Sequence, residues 1–204
     1  MPPLADWTVW ITGLVDKQPA FDRVMSLFAS DFFIPVLICL IMLVLWLGHP
    51  DRFKREYLQK HVMNAAVAIG ISTLIVNMIN SFTNPWPRPF LVDDPVISES
   101  AKHAAQTIFY LPHDPSFPSN ATTVAFSAAT AIWLGNRKAG FVLYILATLW
   151  AFARFYAGIH FFIDILAGFI ISVLTGLFLS KVFMPRAEPW PTWALRMFRF
   201  FYLA

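Results

Sequence analysis

Apolar residues fall in five runs along the chain, about 32–47, 62–79, 120–135, 141–155 and 161–183. Each is long enough, or nearly so, for a helix that crosses a bilayer, which takes roughly 20 residues. The first run, FFIPVLICLIMLVLWL, carries its proline near the start, where a helix tolerates it. Residues 1–30 alternate apolar with charged positions, among them Trp7, Trp10, Asp16, Lys17, Asp22 and Arg23. They lack a basic n-region and a cleavage site, so the pattern predicts an amphipathic interfacial helix and not a signal peptide. A proline-rich stretch at 80–118 is expected to be a long loop, and 184–204, with Trp190, Trp193, Arg196 and Arg199, an interfacial tail. The expected fold is all-α: an integral membrane bundle of about five transmembrane helices plus the N-terminal interfacial helix, forming a single membrane domain over 1–204.

Composition agrees with that solvent. Hydrophobic residues make up 58% of the 204 and charged residues 13%, against about 25% charged in a soluble domain. Five spans leave no length for a separate soluble domain. The one cysteine, Cys39, lies inside an apolar run and excludes a disulfide framework or a cysteine zinc site. The net charge of +3 matters less than its distribution. Arg52, Lys54, Arg55 and Lys60, then Arg137 and Lys138, then Lys181, Arg186, Arg196 and Arg199 fall in three segments that five spans place on one side. By the positive-inside rule that side is the cytoplasm. Trp46, Trp86, Trp133, Trp190 and Trp193 stand near span ends, as an interfacial belt requires. No nucleic-acid partner is expected; the partners are membrane lipids.

The remaining polar residues gather on the opposite side. His160 and Asp164 are four apart, one helical turn, so the carboxylate can fix the imidazole tautomer. Arg154 ends the preceding run. Ser119 or Asn120 opens the third run as a helix cap, with Ala121, Thr122 and Thr123 in the first turn, whose free N–H groups suit an anion. Arg88 lies between two prolines. Two arginines and a helix N-terminus can hold a tetrahedral dianion, and the pattern reads as phosphoryl chemistry. Asp93, Asp94 and Glu99 read as a solvated acidic face, and His103 has no metal-ligand partner at helical spacing. No metal or other cofactor is expected.

At these residues the chain resembles the type 2 phosphatidic acid phosphatases, integral membrane lipid phosphatases related to the vanadium haloperoxidases. Their motifs are K-x6-R-P, P-S-x-H and S-R-x5-H-x3-D. The chain shows Arg88-Pro89 for the end of the first, Pro118-Ser119-Asn120 for most of the second, and Arg154, His160 and Asp164 at the full spacing of the third. The resemblance implies that His160 attacks phosphorus to form a phosphohistidine, oriented by Asp164. Arg88, Arg154, Ser119 and the amides of Asn120 and Ala121 would hold the phosphate without metal.

Three positions depart from those motifs. Ser81 replaces the lysine, Ala121 the second-motif histidine and Ala153 the third-motif serine. In the family that histidine is taken as the acid that protonates the leaving oxygen. Either His113, next to Asp114, supplies the proton, or the substrate needs none, because a phosphate leaving a diphosphate departs as a stable anion. The second alternative favours a polyprenyl diphosphate of the undecaprenyl type, dephosphorylated at the outer face of a bacterial inner membrane. A lipid phosphomonoesterase of the phosphatidic acid or phosphatidylglycerophosphate type, a lipid phosphotransferase and a catalytically weakened lipid-phosphate binder remain alternatives.

Overall fold

The computed structural model describes residues 5–82 and 87–201. Trp86, the first four residues of the N-terminal segment and the last three of the tail lie outside the described residues. In chain order the helices are α1 (Ala5–Thr12), α2 (Pro19–Ala29), α3 (Phe33–Leu47), α4 (Arg52–Phe82), α5 (Pro95–Ile108), α6 (Asn120–Gly135), α7 (Arg137–Tyr156), α8 (Phe162–Phe178), α9 (Met184–Arg186) and α10 (Trp190–Phe200). A 3-10 turn, Pro89–Leu91, precedes α5, and a π-helical turn, Leu179–Phe183, joins α8 to α9. No strand occurs among the described residues.

All five apolar runs are helical. Among the described residues, three helical stretches are long and apolar enough to cross a bilayer: Arg52–Phe82, Arg137–Tyr156 and Phe162–Arg186. The pair α2 and α3, bent by 55° at their junction, passes the same test jointly. Alone, the 15 residues of α3 would reach only about 22 Å, short of a hydrocarbon core of about 30 Å. α6, with 16 residues, is the exception to the lipid-facing pattern. It packs against α4, α7 and α8, and Ala121, Ala125, Ala128, Ala129, Ala131 and Ile132 are buried. Sheathed on so many sides, it needs small residues for close approach, not large apolar ones to face lipid. The helices around it expose Leu43, Val44, Leu74, Phe141, Ile170 and Leu174 on their outer surfaces.

The stretch 80–118 is not wholly a loop. Within it α5 starts at a sound cap, where Asp94 accepts hydrogen bonds from Val96 N and Ile97 N, with Pro95 in the first turn. Ile97, Ala101, Ala104, Ala105 and Ile108 form its buried stripe. Of these, Ala101, Ala104, Ala105 and Ile108 join Ile11, Val15, Met25 and Ala29 of the N-terminal segment in a second core over the end of α7. The N-terminal segment, expected as one interfacial helix, is two, with Asp16 at positive φ (68°) in the turn between them.

The far end of the bundle collects the basic segments. Gln59 donates to the Trp46 carbonyl, Lys60 pairs with Glu188 at 2.6 Å and Arg199 with Glu56 at 3.0 Å. Paired with Lys60 and accepting from Thr192, the Glu188 carboxyl lies below its usual range.

Candidate active site

The end of the bundle opposite those basic segments is assembled from four places in the sequence. α7 delivers Arg154 in its last turn, and Gly158, at φ +67°, turns the chain back toward α8. A side chain at Gly158 would be strained and would also meet Ala101 of α5 at 2.9 Å, so this turn needs glycine for space and for backbone. His160 follows in the turn, and Asp164 in the first turn of α8. Gly168 lets α8 approach the start of α6 so closely that a Cβ there would lie 2.7 Å from the Ser119 carbonyl.

His160 is held through Nδ1. Its nearest partner is the Ser116 main-chain carbonyl at 3.0 Å; the Asp164 carboxylate lies farther away, at 3.6 Å. A carbonyl only accepts, so Nδ1 carries the proton and Nε2 keeps its lone pair. Asp164 acts around the ring: its Oδ2 accepts from the Ser116 hydroxyl and from Phe161 N at 2.8 Å. The latter bond ties the carboxylate to the helix start as the acidic half of a capping box does. His160 lies in the turn outside the spanning helices, and burial pushes its pKa below the ordinary imidazole value against the opposing pull of Asp164. The imidazole is therefore neutral near pH 7.

Arg88 is buried, with Nε on the Asp114 carbonyl at 2.9 Å, Nη1 on the Ile159 carbonyl at 2.7 Å and Nη2 on the Asp114 carboxylate at 2.9 Å. Arg154 is buried between the rings of Phe109 and Trp150, 4.8 and 5.2 Å from their centroids, and its Nη2 pairs with Asp31. Tyr110 donates to the other Asp31 oxygen at 3.0 Å. Burial and then Asp31 push the Tyr110 phenol up, which keeps it a donor.

A cavity of about 210 Å³ is lined by Arg88, Arg154, His160, Asn120 and Ala121 together with Asp31, Tyr110, Asp114 and Trp150. Five of the expected site residues thus meet around one space. Asp164 stands behind His160. Ser119 is fully buried as the cap of α6, its hydroxyl accepting from Thr122 Oγ1 at 3.0 Å, and it does not line the cavity. His113 is exposed in the preceding loop and does not line it either. Ser81 lies exposed in the last turn of α4, donating to its own Asn77 carbonyl, and Ala153 is buried inside α7.

Sequence reasoning missed Asp31, Tyr110 and Ser116. Asp31 carried a signal, an ionisable residue directly before an apolar run; Ser116 acts partly through its main chain, which no side-chain pattern reveals. No cluster of three or more metal-ligating side chains occurs among the described residues.

The family model of the PAP2 superfamily matches residues 61–188. The chain is 30% identical over 190 residues to undecaprenyl-diphosphatase BcrC of Bacillus subtilis (strain 168), covering 92% of this chain and 88% of that protein. The crystal structure of Aquifex aeolicus LpxE superposes with a TM-score of 0.59 at 26% identity, over 86% of this chain and 93% of that one. The crystal structure of a PAP2-type phosphatidylglycerolphosphate phosphatase from Bacillus subtilis gives a TM-score of 0.52 at 19% identity, over 93% and 90% of the two chains, a likeness of fold alone.

Proposed function

The chain belongs to the PAP2 superfamily and is an integral membrane phosphatase, and we propose that it removes the terminal phosphate of a polyprenyl diphosphate of the undecaprenyl type. The observation that carries this reading is the orientation of His160, whose Nδ1–H faces the Ser116 carbonyl and whose Nε2 is left for the cavity that Arg88 and Arg154 line. Similarity to an undecaprenyl-diphosphatase over most of both chains supports the substrate.

In the first step Nε2 attacks the terminal phosphorus while the bond to the bridging oxygen breaks. The leaving polyprenyl monophosphate takes the electron pair, and the phosphoryl group stays on His160. Charge on the equatorial oxygens is met by Arg88, Arg154 and the free N–H groups at the start of α6. Asp164 steadies the ring as it becomes cationic. Water then attacks phosphorus, the P–N bond breaks, and phosphate leaves with His160 neutral again.

Ala121 accounts for the choice of an anhydride. It lines the cavity where the motif has a histidine, and no imidazole besides His160 lines that space. A departing monophosphate needs no proton, whereas a lipid alkoxide does. The three basic segments at the far end of the bundle favour an orientation with that end in the cytoplasm and the site on the outer face of a bacterial inner membrane.

Phosphate release by the purified protein from undecaprenyl diphosphate and from a phosphatidic acid, with His160→Ala as control, tests the reading. Faster release from the diphosphate, abolished in the variant, is expected. Equal or faster release from the monoester overturns the substrate, and unchanged turnover in His160→Ala overturns the nucleophile.

A further inference from the structure

Both arginines of the cavity already hold an anion, and the protein supplies it. Arg88 commits Nε and Nη1 to main-chain carbonyls, which fix it in place, and offers only Nη2 to a side chain, the Asp114 carboxylate at 2.9 Å. Arg154 is fixed by the rings of Phe109 and Trp150 and offers Nη2 to Asp31. The arginine side chains are 3% and 8% exposed, the partner carboxylates 70% and 41%. Each pair therefore joins a buried cation to a carboxylate at the solvent-facing side, and both carboxylates line the same cavity.

An ion pair with this asymmetry has one partner that can leave. The guanidiniums are buried and held by main-chain carbonyls or rings, while Asp114 lies in the loop before α6 and Asp31 at the bend between α2 and α3. A carboxylate oxygen and a phosphate oxygen present the same acceptor to a guanidinium edge. We infer that Asp31 and Asp114 are internal competing anions: they occupy the phosphate-oxygen positions of Arg154 and Arg88 in the empty site, swing aside for the substrate headgroup, and return as product phosphate leaves. This rests on the reading of the cavity as a phosphate site, though not on which lipid carries the phosphate.

Competition has a signature that positioning lacks. An internal competitor raises the apparent dissociation constant of every anion at the site by the same factor, so its removal tightens product and substrate alike. A carboxylate that merely positioned Arg154 would, on removal, weaken anion binding and lower kcat.

The test is equilibrium binding of labelled inorganic phosphate to the purified full-length protein, comparing wild type with Asp31→Asn, Asp114→Asn and the double variant. KM for lipid diphosphate is measured alongside. About fivefold tighter phosphate binding is expected for each substitution, the size of a partly exposed ion pair, with KM falling by the same factor and the double variant showing the product of the two. Phosphate binding unchanged or weaker in Asp114→Asn overturns the inference for Arg88, and the same result in a folded Asp31→Asn overturns it for Arg154. Should Asp31→Asn fail to fold, as read by thermal unfolding, Asp31→Ser, which also removes the charge, takes its place for Arg154, while Asp114→Asn decides for Arg88. The lipid reading fails separately, if wild-type protein binds phosphate yet does not hydrolyse the diphosphate.

Discussion

The Nδ1 of His160 lies 3.0 Å from the main-chain carbonyl of Ser116 and 3.6 Å from the Asp164 carboxylate. The group that fixes the tautomer is thus part of the backbone and cannot be removed by a side-chain substitution. Asp164 contributes charge and holds the loop, and the two contributions can be separated by mutation.

Asp164→Asn should lower kcat by about a hundredfold, less than the roughly ten-thousandfold loss seen when such a substitution also reverses the tautomer. Ser116→Ala keeps the carbonyl and loses only the hydroxyl bridge to Asp164, so a loss of about tenfold or less is expected. Steady-state kinetics on the two variants check the order. A larger loss in Ser116→Ala would remove the distinction.

The acid limb of the kcat/KM profile should lie below the ordinary imidazole value of about 6.5. Burial lowers the His160 pKa, so the reactive neutral ring persists to lower pH, and activity falls only as pH drops through that lowered value. The linked stability has the same sign. A histidine that protonates more readily when unfolded costs the folded state stability as pH falls below the unfolded value. In Asp164→Asn the opposing pull is gone and the limb should move lower still. A limb above 6.5 would count against a buried neutral nucleophile.

Ala121→His places an imidazole on the cavity wall where a leaving oxygen needs a proton. Turnover of a lipid phosphomonoester should rise by about a hundredfold, the lower range of general acid catalysis, with little gain for the diphosphate. Parallel assays on the two substrates read this ratio. An equal gain on both would show that leaving-group protonation does not govern the choice of substrate.

Gly168→Ala should destabilise the protein by about 1–3 kcal/mol, because its Cβ would meet the Ser119 carbonyl and the Thr123 hydroxyl, at 2.7 and 2.9 Å. Since α8 carries Asp164 and Ser119 caps α6, the same displacement should lower kcat. Thermal unfolding in detergent and turnover, measured on one preparation, check both.

What could be read from the sequence follows from how each residue acts. His160 and Asp164 are ionisable side chains four positions apart, and Arg88 and Arg154 are charges in an apolar chain, so composition and spacing expose them. The five apolar runs declare their helices for the same reason. α5 was overlooked because Pro95 and the acidic residues around it look like loop, although its stripe Ile97, Ala101, Ala104, Ala105 and Ile108 follows helical spacing; three of those five are alanines, which stand out little as apolar positions. Asp31 is legible only as an oddity at the start of a span. Its partner is 123 positions away, and no local pattern encodes such a distance. The double role of Ser116, carbonyl to the histidine and hydroxyl to the aspartate, requires the fold.

The hydrogen bond from Tyr156 to Asp22, across 134 positions, bears on biogenesis. Together with the Asp31–Arg154 pair it ties α2 and the bend after it to the last turn of α7. Until that turn has been inserted, Asp22 lacks Tyr156 and Asp31 lacks Arg154, and His160 follows only in the turn after it. On the proposed mechanism, a chain halted before α8 lacks Asp164 and is expected to be inert toward lipid phosphates.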